Sequence, residues 1–168
     1  MGARRHVTLL IGSAKRSRST SEELGTTLLN RLCEYGFESE TLFLHRSVHT
    51  ERRRRELLDA VDRAEILVLA CPLYVDALPY LVVRAFELIA EHRRASPSED
   101  RQRFVSIMNC GFPEAHHNDT GLAICRQFAR EVGFEWAAGL VWVGVRRSAA
   151  SRWARRAAWC GTSFRRSK

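Results

Sequence analysis

Three short segments hold most of the residues able to do chemistry, and each follows an apolar run. The first, Gly12-Ser13-Ala14-Lys15-Arg16-Ser17-Arg18-Ser19-Thr20-Ser21, mixes small hydroxylic residues with cations. A phosphate monoester is a dianion at neutral pH, and a helix N-terminus offers it unpaired N–H groups and the positive end of the helix dipole. Ser13, Lys15, Arg16, Ser17, Ser19, Thr20 and Ser21 are therefore candidate holders of one terminal phosphate. The second segment, Pro72-Leu73-Tyr74-Val75-Asp76-Ala77-Leu78-Pro79, suits a planar ring: the prolines stiffen its ends, Tyr74 offers an aromatic edge, and the backbone between them can hydrogen-bond. In the third, Asn109-Cys110-Gly111-Phe112-Pro113-Glu114, Gly111 permits close backbone approach and Phe112-Pro113 can wall a pocket. Each segment also has a plainer reading. The first could be a strand-to-helix turn with a capping box and solvated arginines, and the second a connection whose Tyr packs in the core.

Competing motifs fit less well. There is no second glycine for a G-x-x-x-x-G-K-[ST] loop and no G-x-G-x-x-G. The five cysteines, at 33, 71, 110, 125 and 160, form no C-x-x-C pair, so neither disulfides nor zinc is expected. Cys71 and Cys110 read as small buried hydrophobes, with a redox thiol as the alternative. His116-His117 lack a carboxylate at ligand spacing and read as loop or substrate-side residues, and no metal is expected. Arg52 to Arg55 read as a solvated helix start held by Glu51 and Glu56.

The elements that must position these segments alternate along the chain. His6 to Ile11 is a short run rich in Val, Leu and Ile, read as a strand buried on both faces. Ser19 and Thr20 precede Glu22 and Glu23 at capping-box spacing, and Leu24, Leu28 and Leu32 carry a helix to Gly36. Phe37 to Leu44 alternates as an edge strand, Glu51 to Ala64 reads as a helix, and Glu65 to Ala70 as a central strand. Pro79 suits the first turn of a helix with Leu81, Val82, Ala85, Ile89 and His92 on one face. Phe104 to Met108 is a fourth strand, Thr120 to Val132 a helix capped by Asn118 or Asp119, and Phe134 to Val145 a fifth strand. The order βαβαβαβαβ predicts an α/β doubly wound parallel sheet of five strands, with the flavodoxin-like order 2-1-3-4-5. All three segments would then lie at the carboxyl ends of strands, where such sheets bind ligands.

Composition bounds the rest. A chain of 168 residues, 45% hydrophobic and 27% charged, suits one domain. It shows no apolar stretch of bilayer length and no signal-peptide core, so a cytoplasmic protein is expected. The net charge of +8 is unevenly spread: residues 1–145 carry 19 basic and 19 acidic residues, and residues 146–168 carry 8 basic and no acidic ones. The division is thus a ligand-binding body over 1–145 and a basic tail over 146–168, with neither nucleic acid nor membrane expected as partner.

The chain resembles the flavodoxin-like NAD(P)H-dependent FMN reductases, which share their FMN-binding domain with iron–sulfur flavoproteins. Gly12 to Thr20 is similar to that family's G-S-x-R-x-x-S-[NS]-[ST] loop. Pro72-Leu73-Tyr74 with Pro79, Val83, Arg84 and Phe86 is similar to its P-x-Y-x-x-x-x-P-x-x-[LV]-K-x-F segment, and Asn109-Cys110-Gly111 to its third loop. The likeness spans about residues 6 to 145. It implies FMN as cofactor, with NADPH or NADH as co-substrate and a quinone, flavin or nitroaromatic as small-molecule electron acceptor. It also implies a homodimer whose partner chain closes the pocket. Pro72, Leu73, Tyr74, Val75, Asn109, Cys110 and Gly111 would line the ring. Two departures stand out. Arg18 occupies a position where the family usually has a small hydroxylic residue, and no cysteine cluster for an Fe–S centre is present.

After Gly144 the likeness stops. The family's last helix has no counterpart in the Arg-, Ser-, Ala- and Trp-rich tail, which reads as a frameshifted or divergent end, so an atypical or incomplete C-terminal helix is expected. Alternatively, Trp153, Ala157, Cys160 and Phe164 lie near one face of a short basic amphipathic helix. Two other functional readings stay open: a flavodoxin-type electron carrier, which the neutral body argues against, and an adaptor working through the tail.

Overall fold

The run of apolar residues from His6 to Ile11 forms β1, and that from Ile66 to Pro72 forms β3. Both lie in the middle of a five-stranded sheet, where side chains of both parities meet helices rather than water. The computed structural model describes residues 5–15, 18–98, 101–111 and 114–143. The readings placed on Arg16, Ser17, Phe112, Pro113 and everything from residue 144, including the tail and its helix, lie outside the described residues.

The remaining elements are α1 (Thr20–Glu34), β2 (Glu38–Phe43), α2 (Leu44–Ser47), α3 (Glu51–Arg63), α4 (Tyr80–Ala95), β4 (Arg103–Cys110), α5 (Asp119–Glu131) and β5 (Glu135–Val143). Every strand pairing is parallel and the order is β2-β1-β3-β4-β5, the flavodoxin-like arrangement. Val7, Leu9 and Ile11 of β1, with Val68 and Ala70 of β3, face Leu24 and Leu29 of α1. Leu10, Leu67, Leu69 and Cys71 face the opposite layer, where Leu57 and Val61 of α3, Val82 and Ile89 of α4, and Leu122 and Phe128 of α5 pack. The one hydroxyl buried in β1, that of Thr8, donates to the carbonyl of Ala60 in α3 at 3.1 Å, so it costs the core little.

Phe104 is fully buried at the centre of an aromatic group. Phe86 stacks on Phe128 at 3.7 Å between centroids, and Phe104 meets both rings edge-on. At the amino end of the sheet the buried amide of Gln102 donates to the carbonyls of Val61 (2.7 Å) and Ala64 (2.6 Å) at the end of α3, the first of which also accepts from the N–H of Ala64. Its oxygen accepts from the buried Arg93 of α4, which also pairs with Asp62 at 3.1 Å. One side chain thereby fastens the end of α3 to α4 and to the start of β4.

Several boundaries differ from the sequence reading. β3 runs two residues past Ala70, taking in Pro72, since Met108 and Asn109 of β4 supply ladder partners for Cys71 and Pro72. The residues after β2 form a single helical turn, α2, because that turn buries both Leu44 and Val48. β4 runs two residues further than Met108, since Pro72 of β3 and both Trp142 and Val143 of β5 supply ladder partners for Asn109 and Cys110.

Candidate functional site

The first segment leaves β1 at Gly12, whose N–H still donates to the carbonyl of Ala70 at 2.8 Å. A Cβ at Gly12 would stand 2.5 Å from Cγ2 of Val82 and 2.7 Å from Cβ of Cys71, so glycine is what lets this turn lie against β3 and the start of α4. Ser13 is buried, its Oγ accepting from the N–H of Lys15 at 3.3 Å, while Lys15 and Arg18 are exposed. Ser19 is the N-cap of α1: its Oγ accepts from the N–H of Glu22 at 3.1 Å, and the carboxylate of Glu22 accepts from the N–H of Ser19 at 3.4 Å. The capping box read from the sequence is thus present, and it leaves the N–H groups of Thr20 and Ser21 without an acceptor among the described residues. Thr20 is exposed; Ser21 is buried and its hydroxyl donates to Oδ1 of Asn109 at 2.7 Å.

The second segment begins with Pro72 and Leu73, both buried. The N–H of Leu73 donates to the carbonyl of Asn109 at 2.8 Å. The chain then reverses in four residues: Tyr74 and Ala77 exchange N–H···O bonds of 3.1 and 3.0 Å, with Val75 at φ 50° and Asp76 at φ 56°. Two successive left-handed residues define a turn normally built from Asn-Gly, and a β-branched residue in it costs on the order of 1–2 kcal/mol. Tyr74 is 52% exposed and Val75 92% exposed, so this turn displays apolar side-chain surface. Pro79 stands one residue earlier than its expected place inside the helix: it is the N-cap of α4, its carbonyl accepting from Val82 and Val83.

Of the third segment, Asn109 and Cys110 prove to be strand residues rather than loop. Asn109 joins the other two segments, through its side chain to Ser21 at the start of α1 and through its carbonyl to Leu73 at the end of β3. Cys110 is buried with its sulfur accepting from Nδ2 of Asn118 at 3.1 Å. Gly111 is exposed, and a Cβ there would meet nothing within 4 Å. Cys71 is fully buried, and burial pushes its thiol well above the ordinary value, which suits a packing role.

Several participants were not legible in the sequence. Ala115–Asn118 form one 3₁₀ turn, and Asn118 is the N-cap of α5 as expected but makes no side-chain cap bond; its amide turns inward to Cys110 and to the carbonyl of Ala115 at 3.2 Å. His117 Nδ1 lies 3.1 Å from Oδ1 of Asp76 in the reversed turn. Gly121 in the first turn of α5 sits where a Cβ would be 2.8 Å from Sδ of Met108 and 3.0 Å from Cδ1 of Leu73, so α5 presses on the second segment from below. Proline, glycine and hydroxyl spacing mark loops; partners 41 or 88 residues away leave no local pattern. Among the described residues no three of His, Cys, Asp and Glu converge to hold a metal ion.

Neither a protein-family model nor a curated protein sequence matches the chain. Solved structures do resemble it. An NAD(P)H:quinone oxidoreductase from Methanothermobacter marburgensis superposes with a TM-score of 0.66 at 20% identity, over 89% of this chain and 91% of that one. An FMN-dependent NADH-azoreductase from Bacillus anthracis, in complex with FMN, gives 0.63 at 12% identity over 83% and 87%. A flavodoxin from Streptococcus pneumoniae gives 0.58 at 14% identity over 87% and 88%. At these identities the likeness establishes the fold.

Proposed function

We propose that this chain binds FMN across the carboxyl ends of β1, β3 and β4 and is an oxidoreductase that draws electrons from NADH or NADPH. The observation that carries this reading is the pair of hydrogen bonds that Asn109 accepts, which hold a helix N-terminus with two N–H groups unclaimed among the described residues in fixed relation to an exposed apolar turn. A phosphate-bearing planar heterocycle needs those two features together. The names of the similar structures, a quinone oxidoreductase and an FMN-dependent azoreductase, support the same class of ligand and reaction.

On this reading the N–H groups of Thr20 and Ser21 and the hydroxyl of Ser13 hold the phosphate, with Lys15, Arg16 and Ser17 around it. Ser19 and Ser21 contribute mainly by fixing the helix end and Asn109, since their own hydroxyls are engaged. Glu22 is the group an incoming phosphate must displace from the N–H of Ser19. Pro72, Leu73, Tyr74, Val75, Asn109, Cys110 and Gly111 border the ring, mostly through backbone. The chemistry FMN supplies when bound is the passage of reducing equivalents from a nicotinamide to a quinone, flavin or nitroaromatic. The chain's own residues bind and orient, and none is required to exchange a proton.

Tyr80 and Val83 are also exposed, on one face of the first turn of α4, and with Tyr74 and Val75 they give this end of the molecule a concentration of exposed apolar side chains. A second copy of the chain covering that surface would shield the crevice, which is the homodimer we propose.

The test is anaerobic. Protein that retains FMN after desalting is mixed with NADH or NADPH, and the reading expects the flavin band to bleach without another enzyme. A retained band that neither nucleotide bleaches would make the chain a carrier of the flavodoxin kind.

A further inference from the structure

His117 takes no part in the phosphate or ring contacts above, yet it joins the 3₁₀ turn after β4 to the reversed turn after β3, 41 residues away in sequence. We infer that His117 is a positioning residue: through Asp76 it holds Val75 and Asp76 in the left-handed conformation that presents Tyr74 and Val75 to a ligand. The identity of that ligand rests on the FMN reading; the positioning does not.

The reversed turn cannot maintain itself by local preference. Neither central residue is glycine or asparagine, and a β-branched residue in that region persists where its surroundings over-determine it. Those surroundings are sparse, because Val75 is 92% exposed. Two backbone bonds close the turn, and among the described residues its side-chain anchor is Asp76, whose Oδ1 accepts from Nδ1 of His117 at 3.1 Å. The anchor itself is firmly seated. The next residue, Asn118, is fully buried and donates to Cys110 and to Ala115, which fixes the 3₁₀ turn against the end of β4. The far nitrogen of His117 lies 3.8 Å from the carboxylate of Glu114, and His116 stacks on the ring at 4.4 Å, so the imidazole is held from three sides. A rigid base, one directed bond and a strained turn together make a clamp.

The experiment pairs two readouts: exchange of the Ala77 amide, which donates to Tyr74 within the turn, in the FMN-free protein, and the FMN dissociation constant from fluorescence quenching. His117→Ala is expected to speed Ala77 exchange and to weaken FMN binding roughly three- to tenfold, the loss of one hydrogen bond. His117→Asn, whose amide nitrogen stands where Nδ1 does, is expected to restore both. In a background carrying Val75→Asn and Asp76→Gly, a pair that favours this turn without help, His117→Ala is expected to change neither. Ala77 exchange indifferent to His117→Ala, failure of His117→Asn to rescue, or an undiminished effect in the Asn-Gly background would each overturn the inference. If Ala77 exchange follows His117 while the unaltered protein binds no FMN, the clamp stands and the FMN reading falls.

Discussion

Ser19, Ser21 and Asn109 each spend a polar group on the protein itself, and this determines what remains for a ligand at the end of α1. The hydroxyls hold the helix end and the neighbouring strand, and the N–H groups of Thr20 and Ser21 stay unclaimed among the described residues. The nearest anionic competitor is Glu22, whose carboxylate reaches back to the N–H of Ser19. Glu22→Gln keeps a side-chain acceptor there while removing the charge. It is therefore expected to tighten FMN binding about two- to fivefold, the scale of one charge at a helix terminus, as measured by fluorescence titration at low ionic strength; weaker binding would place the phosphate elsewhere. The capping box at Ser19 and Glu22 was legible because its spacing is a local pattern. That Ser21 answers to Asn109 rather than to a phosphate was not legible, since its partner is 88 residues on.

Among the elements, periodicity located every strand and every helix longer than one turn, because each buries a face whose repeat is written in the sequence. It missed α2 and the 3₁₀ turn, which are too short to repeat, and it ended β3 and β4 early because Cys71, Pro72, Asn109 and Cys110 belong to the ladder through neighbours on adjoining strands. Polar joints between elements were equally hidden. Gln102 is one: a buried amide shared among the end of α3, Arg93 of α4 and the start of β4. Gln102→Ala would leave two carbonyls and a buried guanidinium underpaired, and it is expected to cost roughly 2 to 4 kcal/mol in urea unfolding. FMN binding should be unchanged where the variant is folded, because the joint lies at the opposite end of the sheet from the crevice. A loss below about 0.5 kcal/mol, the range of an ordinary surface change, would mean that water replaces the amide.

For the whole molecule, the sheet brings three segments, dispersed over a hundred residues of sequence, to one edge, and the two central connections leave β1 and β3, the neighbours between which the strand order reverses. The opposite end carries ion pairs and the Gln102 joint, whereas at the carboxyl end N–H groups unclaimed among the described residues and exposed apolar side chains coincide. A ligand with a phosphate at one end and a planar ring at the other is the chemistry that pairing selects. The most direct measurement is a titration of the flavin-free protein with FMN and, in parallel, with riboflavin, which has the same ring and no phosphate. The account predicts that FMN binds and that riboflavin is weaker by roughly ten- to a hundredfold, the worth of charge-assisted hydrogen bonds to the phosphate. Equal affinity for the two, or binding of neither by folded protein, would contradict it.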